Sequence, residues 1–254
     1  MPGNLSRPGA SVAGRVLALL GAFDEEHLVL RLTELAQRAE LAPATAHRLV
    51  AELTGWGALT RRADGGYVIG RRIWDLGVLA PAATGLRELA GPYLHDLHAA
   101  TRATVHLAVR DGTQALYLDR VSGSVSVPVV SRIGSRLPLH ATGVGKVLLA
   151  YAPAEIVATV LGRLDRITPY TITLPGRLQS QLAVVRLEGY AQTSEEMSLG
   201  ACSVAVPVWY RHTEVVAALG IVVPTISRDR TRLVAALQVA AAGIGRQLSV
   251  QTFR

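Results

Sequence analysis

The chain holds one cysteine, Cys202, in 254 residues, which excludes an intrachain disulfide and a four-cysteine metal site. That usage suits a reducing compartment, and a cytoplasmic protein is expected. Long apolar runs are missing too. The longest uncharged stretch, Met197–Tyr210, has 14 residues and contains Pro207; a membrane-spanning helix needs about 20. Val12 to Phe23 is apolar, but Arg15 interrupts it and Asp24-Glu25-Glu26 follows without a cleavage-like site, so no secretory signal is expected there. Lysine is nearly absent: Lys146 is the only one among 26 basic residues. The net charge of +7 is less informative than it looks, because residues 1–75 carry nine arginines against eight acidic residues, a net of +1. No repeat of fixed period occurs, and residues 1–11 read as a disordered tail.

What is present is a folded composition, 50% hydrophobic and 18% charged, with length for one large domain or two ordinary ones. Its most informative stretch is Leu32 to Leu59, LTELAQRAELAPATAHRLVAELTGWGAL. Leu35, Ala36 and Ala39 give a first short helix an apolar face, with Thr33 expected as its N-cap. Glu40-Leu41-Ala42 forms the turn, and Pro43 fits a first helical position because its missing N–H has no partner there. In the second helix Ala46, Leu49, Val50 and Leu53 follow i, i+3, i+4, i+7 spacing. The face left outside, Ala44, Thr45, His47, Arg48, Ala51 and Glu52, starts with small, hydroxyl-bearing and basic residues that suit a groove lined with acceptors and phosphates. Gly55 and Gly57 stop the helix, and two extended runs follow around Asp64-Gly65-Gly66, a hairpin signal. Helix, turn, helix, glycine stop and a hairpin bearing Arg61 and Arg62 make a winged helix-turn-helix, expected over residues 12–70 with Pro43–Leu53 as the recognition helix. Between residues 38 and 72, six arginines face only Glu40, Glu52 and Asp64, and this local clustering supports a phosphate-contacting face.

Beyond the wing, Gly70 to Leu79 reads as a short linker helix that Pro81-Ala-Ala-Thr-Gly85 breaks, placing a linker at 71–84 and a second domain at 85–254. That domain opens with an amphipathic helix, Leu86 to Arg102, then a hairpin of Thr104–Arg110 and Ala115–Val121 about Asp111-Gly112. Ser124–Ile133 is β-branched and expected as strand. Helices are expected over Gly143–Tyr151, Ala154–Leu161 and a segment ending at Gly189. Strands over Cys202–Val208 and Val215–Val223 and a long final helix complete an α+β domain with a largely antiparallel sheet, able to hold a small ligand on one face.

The remaining chemistry is thin. Leu137-Pro-Leu-His-Ala-Thr-Gly-Val-Gly-Lys-Val147 fails as a phosphate loop, since His140 stands at the first glycine position and Val147 follows the lysine. Gly143 and Gly145 leave backbone N–H groups at a helix start, where a carboxylate can bind or where glycine simply permits tight packing. His95 and His98 share a helix face without a third metal ligand. Cys202 in an apolar strand reads as core, and Glu195-Glu196 as a solvated turn. Nothing places a nucleophile with a base, a metal set or a cofactor, so no catalysis, metal or cofactor is expected.

Taken together, LTELAQRAELAPATAHRLVAEL, GGYVIG, TVHLAVRDGTQALYLDRVSG, SRLPLHATGVGKVLLA and GYAQTSEEMSLGACSVAVPV resemble the IclR family of bacterial transcriptional regulators, over nearly the whole chain. The resemblance implies a winged helix-turn-helix that also dimerises, a linker helix and a GAF-like effector-binding domain. It also implies dimers, or tetramers built from dimers, on operator DNA, and a small organic or aromatic acid as effector. Carried over by motif, Ser126, Val129, Gly143, Val144, Thr193, Ala201 and Ser203 would line the effector pocket. Thr193 stands where some members carry Asp, and Ser203 where some carry Cys. For DNA, Thr33, Arg38, Ala44, Thr45, His47, Arg48, Arg61 and Arg62 are the candidates, the recognition helix in the major groove and the wing on the adjacent backbone. Repression is the commoner mode. The rival reading is a ligand-binding module or enzyme whose helix-turn-helix serves only dimerisation.

Overall fold

The computed structural model describes residues 11–24, 26–77, 81–123, 127, 130–226 and 230–251, and the chain divides into two compact units, Met1–Pro81 and Ala82–Arg254.

In the first unit three helices, α1 (Val12–Leu20), α2 (Leu32–Arg38) and α3 (Pro43–Trp56), precede a two-stranded wing, β1 (Leu59–Arg61) and β2 (Tyr67–Ile69). Ser11 belongs to the fold rather than to a loose tail, because its hydroxyl accepts from the Gly14 amide at 2.9 Å and caps α1. The expected cap of α2 is corrected: Arg31 holds that position, Thr33 lies inside the helix, and the Glu34 carboxylate takes the Arg31 N–H at 2.6 Å. The turn into α3 closes with Leu41 N–H on Ala36 C=O (2.8 Å) and Glu40 N–H on Gln37 C=O (3.1 Å), which drives Glu40 to φ 54°. Ala46, Leu49, Val50 and Leu53 are buried as their spacing requires, with Leu19, Leu30 and Leu35 around them. Each such leucine or valine contributes roughly 1.5–3 kcal/mol relative to an exposed one. Gly57, at φ 86°, ends α3, while Gly55 is still helical. The wing pairs Leu59 with Ile69 and Arg61 with Tyr67, and Leu30 adds an antiparallel bridge to Tyr67.

The expected linker takes a different form. One helix, α4, covers Arg71–Gly77, and Pro81 opens α5 (Pro81–Thr101) rather than breaking a helix. Proline is tolerated in a first turn because the N–H it lacks has no intrahelical acceptor there.

In the second unit, β3 (Thr104–Asp111), β4 (Gln114–Val121), β5 (Arg136–Pro138), β6 (Ala191–Ser194), β7 (Cys202–Tyr210) and β8 (Glu214–Val223) form an antiparallel sheet in the order β5-β4-β3-β8-β7-β6. Of the strand expected over Ser124–Ile133, residues 124–126 and 128–129 lie outside the described set, and Val130–Ile133 bend and turn instead. The short edge strands β5 and β6 were not expected. Helices α6 (Gly143–Ala150), α7 (Ala154–Leu161) and α8 (Pro175–Glu188) build the core on one face of the sheet. Helices α5 and α9 (Arg230–Gln251) build it on the other. Residues 230–250 are long and apolar enough to cross a membrane, and Leu233, Leu237, Ala240, Ala241 and Ile244 of this helix are buried in the sheet core.

Candidate functional sites

On α3 the buried stripe fixes what remains outside. Ala44, His47 and Arg48 are exposed and Thr45 is half-buried. Arg48 meets Glu52 one turn on at 3.0 Å, both largely in solvent, a pair of little strength that another anion can displace. On the wing, Arg61 and Arg62 are exposed; Arg61 lies 6.0 Å from the Tyr67 ring and Arg62 pairs with Asp64 at 3.3 Å. Two of the clustered arginines are used inside the unit. Arg38 donates through Nε to the Ala22 carbonyl at 2.7 Å and pairs with Asp24, so it fastens the α1–α2 connection rather than presenting a free guanidinium. Arg72 lies 4.3 Å from the Trp56 ring and donates to its carbonyl at 3.3 Å. Thr33 is exposed on α2, apart from the α3 stripe in sequence, and caps nothing.

The second site is a cavity of about 50 Å³ between the start of α6 and one sheet face. Register explains its floor. Alternate residues share a face, and Thr193–Ser203–Val222 and Ala205–Gly220–His106 are cross-strand rows. Helix α6 sits flush on those rows because two positions lack Cβ. A Cβ at Gly143 would lie 2.5 Å from Ser203 Oγ, and one at Gly220 would lie 2.8 Å from Val144 Cγ1. Thr142 caps α6, its hydroxyl oxygen taking the Gly145 amide at 3.1 Å. The Gly143 and Val144 amides, at the first two helical positions, then have no intrahelical partner. Beside them Thr193 and Ser203 share a hydroxyl–hydroxyl bond of 2.6 Å.

The cavity is also lined by His106, Tyr117 and Ser131. His106 Nε2 and Ser131 Oγ are 2.7 Å apart, and the imidazole meets the Tyr117 ring edge-on at 5.1 Å. Burial, and then the nearby Arg120 guanidinium, hold the His106 pKa down to about 3, so the ring is neutral at physiological pH. Burial raises Tyr117 to about 12, against a hydrogen bond with Thr142 that lowers it. The lining contains no carboxylate and no cationic side chain among the described residues. An anion entering it meets the first turn of α6, hydroxyls and a neutral ring, an arrangement suited to binding a small ligand.

Of the expected pocket residues, Gly143, Val144, Thr193, Ala201 and Ser203 come together in this lining; Ser126 and Val129 lie outside the described residues. Sequence reasoning missed His106, Tyr117, Ser131, Thr142 and Gly220. Two signals were available: a lone histidine at an inward position of an apolar strand, and a threonine directly before Gly143. The solvated turn expected at Glu195-Glu196 is corrected, since Glu196 is buried against Lys146 at 2.6 Å. Alternation fails as a guide there because Glu195 has φ 55°, which turns the chain inward. His95 and His98 bond backbone carbonyls at 2.8 and 2.7 Å, and Cys202 is buried in β7.

Comparison with known proteins bears on both sites. Residues 12–63 match the IclR helix-turn-helix domain, and residues 80–248 match the bacterial transcriptional regulator IclR C-terminal domain. The chain is similar to the HTH-type transcriptional regulator XynR of Escherichia coli K12, 34% identical over 86% of this chain and 88% of that protein. It is also similar to the transcriptional repressor IclR of the same strain, 32% identical over 90% and 86%. Among solved structures, an IclR homologue from Microbacterium hydrocarbonoxydans complexed with 4-hydroxybenzoate superposes with a TM-score of 0.91 at 33% identity, over 94% of this chain and 100% of that one.

Proposed function

Because this chain belongs to the IclR family of bacterial transcriptional regulators, we propose that it represses transcription from an operator bound by α3 and the β1–β2 wing, under control of a small organic acid held beneath α6. The observation that carries the acid reading is the cavity itself. Gly143 and Val144, whose amides lack intrahelical partners, and the Thr193–Ser203 hydroxyl pair line a space with no charged side chain among the described residues. Gly143, Val144, Thr193 and Ser203 would hold the carboxylate, with Ala201 and Tyr117 flanking the ligand's body. Since the relative cited above was solved with 4-hydroxybenzoate, an aromatic acid of that size is the first ligand to try.

On the DNA side, Thr45, His47 and Arg48 would face base edges and phosphates, with Ala44 allowing close approach. Arg61 and Arg62 would position the wing on the backbone. Arg38 would support this surface only by holding the fold, and Thr33 would reach phosphate at most. Acting as a homodimer would pair two such units. Val12, Leu17, Trp74 and Leu76 support that, being exposed apolar side chains on α1 and α4. An effector that binds one arrangement of the dimer better than another must change operator affinity by that differential.

The deciding experiment is fluorescence anisotropy of the purified protein on DNA from upstream of its own gene and on a scrambled duplex, across a salt series, with and without 4-hydroxybenzoate. Tighter binding to the upstream DNA with a steep salt dependence supports the regulator. No binding to either duplex at low salt would instead favour a ligand-binding module that only dimerises through its N-terminal unit.

A further inference from the structure

Behind the cavity, its two polar walls are joined by one buried ion pair. Lys146 lies on α6 less than one turn beyond Gly143, and its Nζ donates to Glu196 Oε1 at 2.6 Å and to Gln181 Oε1 on α8 at 2.6 Å. Glu196 belongs to the turn between β6 and β7, which also supplies Met197, Ser198 and Ala201 to the cavity lining. That turn is fixed from further sides. Thr168 Oγ1 donates to the Glu195 carbonyl and Thr171 Oγ1 to the Glu196 carbonyl, each at 2.7 Å.

The side chains of Lys146 and Glu196 are only 1% and 7% exposed. A pair this deep is a poor device for stability alone, since well-packed apolar residues of the same volume often do as well or better. What an apolar pair lacks is a fixed separation: it can slide, whereas hydrogen-bonded charges hold one geometry. Here the geometry held is that of two cavity walls, with Lys146 on the helix that bears Gly143 and Val144 and Glu196 on the segment that bears Met197 and Ser198.

We propose that Lys146 and Glu196 are positioning residues for the effector cavity, their ion pair setting the spacing between the start of α6 and the Glu195–Ala201 turn. This rests on the reading of the cavity as the effector site, yet its central consequence is measurable without any ligand. In the full-length protein, hydrogen exchange is followed at amides within the two walls, Gly145 and Lys146 on α6 and Glu195, Gly200 and Ala201 in the turn. Amides of β3 and β8 serve as the internal reference. Two variants are compared with the parent: K146M/E196L, which replaces the pair by apolar side chains, and E196Q, which keeps shape and an acceptor should the double variant not fold.

The expected result is at least tenfold faster exchange at the wall amides of the double variant, with β3 and β8 unchanged; in E196Q, which leaves the buried ammonium without its charged partner, the wall amides gain more than those of β3 and β8 do. Unchanged wall amides would overturn the proposal. So would a parallel loss of protection across β3 and β8, which would mark the pair as a contributor to global stability. Calorimetric titration with 4-hydroxybenzoate forms the second arm. If the parent binds it, affinity falls at least tenfold in the double variant, and undiminished affinity overturns the proposal. If the parent does not bind it, 4-hydroxybenzoate is not the effector, and the exchange data alone decide the role of the pair.

Discussion

Lys146→Met gives the sharpest test of how the buried pair contributes to the fold. The substitution keeps most of the side-chain volume and removes the ammonium, leaving a carboxylate that is 7% exposed with its charged partner gone. Breaking a buried pair from one side costs about 3–5 kcal/mol, because the remaining charge is uncompensated. For a domain of this size each kcal/mol is worth roughly 2–4 °C, so the C-terminal unit should melt about 6–20 °C lower near neutral pH. The pH dependence follows from Glu196. Burial already raises its pKa above the ordinary carboxylate value, and Lys146 is the largest influence opposing that rise. Without Lys146 the folded-state pKa climbs further, while that of the unfolded chain stays put. The native state then keeps a proton that the unfolded state releases, so stability falls as pH rises above the unfolded value of about 4.3 and the penalty fades below it. His140 and Arg177 also act on the pair, and the parent protein measured at each pH accounts for their effects. Thermal melts of parent and variant near pH 7 and near pH 4 supply the comparison. A penalty that is equal at both values, or larger in acid, would refute the uncompensated-charge argument.

Other residues carry narrower predictions. Arg48→Ala should weaken operator binding by about 1–3 kcal/mol, with little effect on scrambled DNA, if the guanidinium reads a base; an equal loss on both duplexes with a shallower salt slope would assign it to phosphate. Arg38→Ala, by losing the Ala22 carbonyl and Asp24, should lower the stability of the N-terminal unit by about 1–2 kcal/mol. Operator affinity of the folded variant should stay within about twofold of the parent if no phosphate contact is lost, as anisotropy below the melting range would show. Glu40→Gly should raise stability by about 0.5–1 kcal/mol, since φ 54° strains a side chain by more than the entropy glycine adds; a lower denaturation midpoint would contradict this. Gly143→Ala should reduce ligand affinity and cost about 1–3 kcal/mol, because the new methyl meets Ser203 Oγ at 2.5 Å, and Ser203→Ala in the same chain should recover part of the loss in a titration and a melt.

The winged unit was legible in the sequence almost residue by residue, and the reason is that its signals are local. Spacing of Ala46, Leu49, Val50 and Leu53 picks a helix face, Pro43 and Gly57 mark its ends, and Asp64-Gly65 closes the wing. Errors arose where two local signals competed. Thr33 looked like a cap, but Arg31 takes that position because its own N–H reaches the Glu34 carboxylate. Pro81 looked like a break but opens a helix, since proline is as well suited to a first turn as to a stop.

Sequence by itself determined the two-part plan, the element types and the apolar faces, because each follows from periods of two or 3.6 residues and from the φ freedom of glycine and proline. The resemblance to a known family even supplied five of the cavity's residues. Only the tertiary structure decided what lies between those elements. It brought His106 from β3, Tyr117 from β4, Thr142 from the start of α6 and Gly220 from β8 into one lining, and it paired Arg38 with the Ala22 carbonyl and Asp24. It also turned Glu196 inward to Lys146, 50 positions away in the chain. Such pairings depend on strand register and on which helix covers which sheet face, and neither leaves a mark in the spacing of the residues themselves.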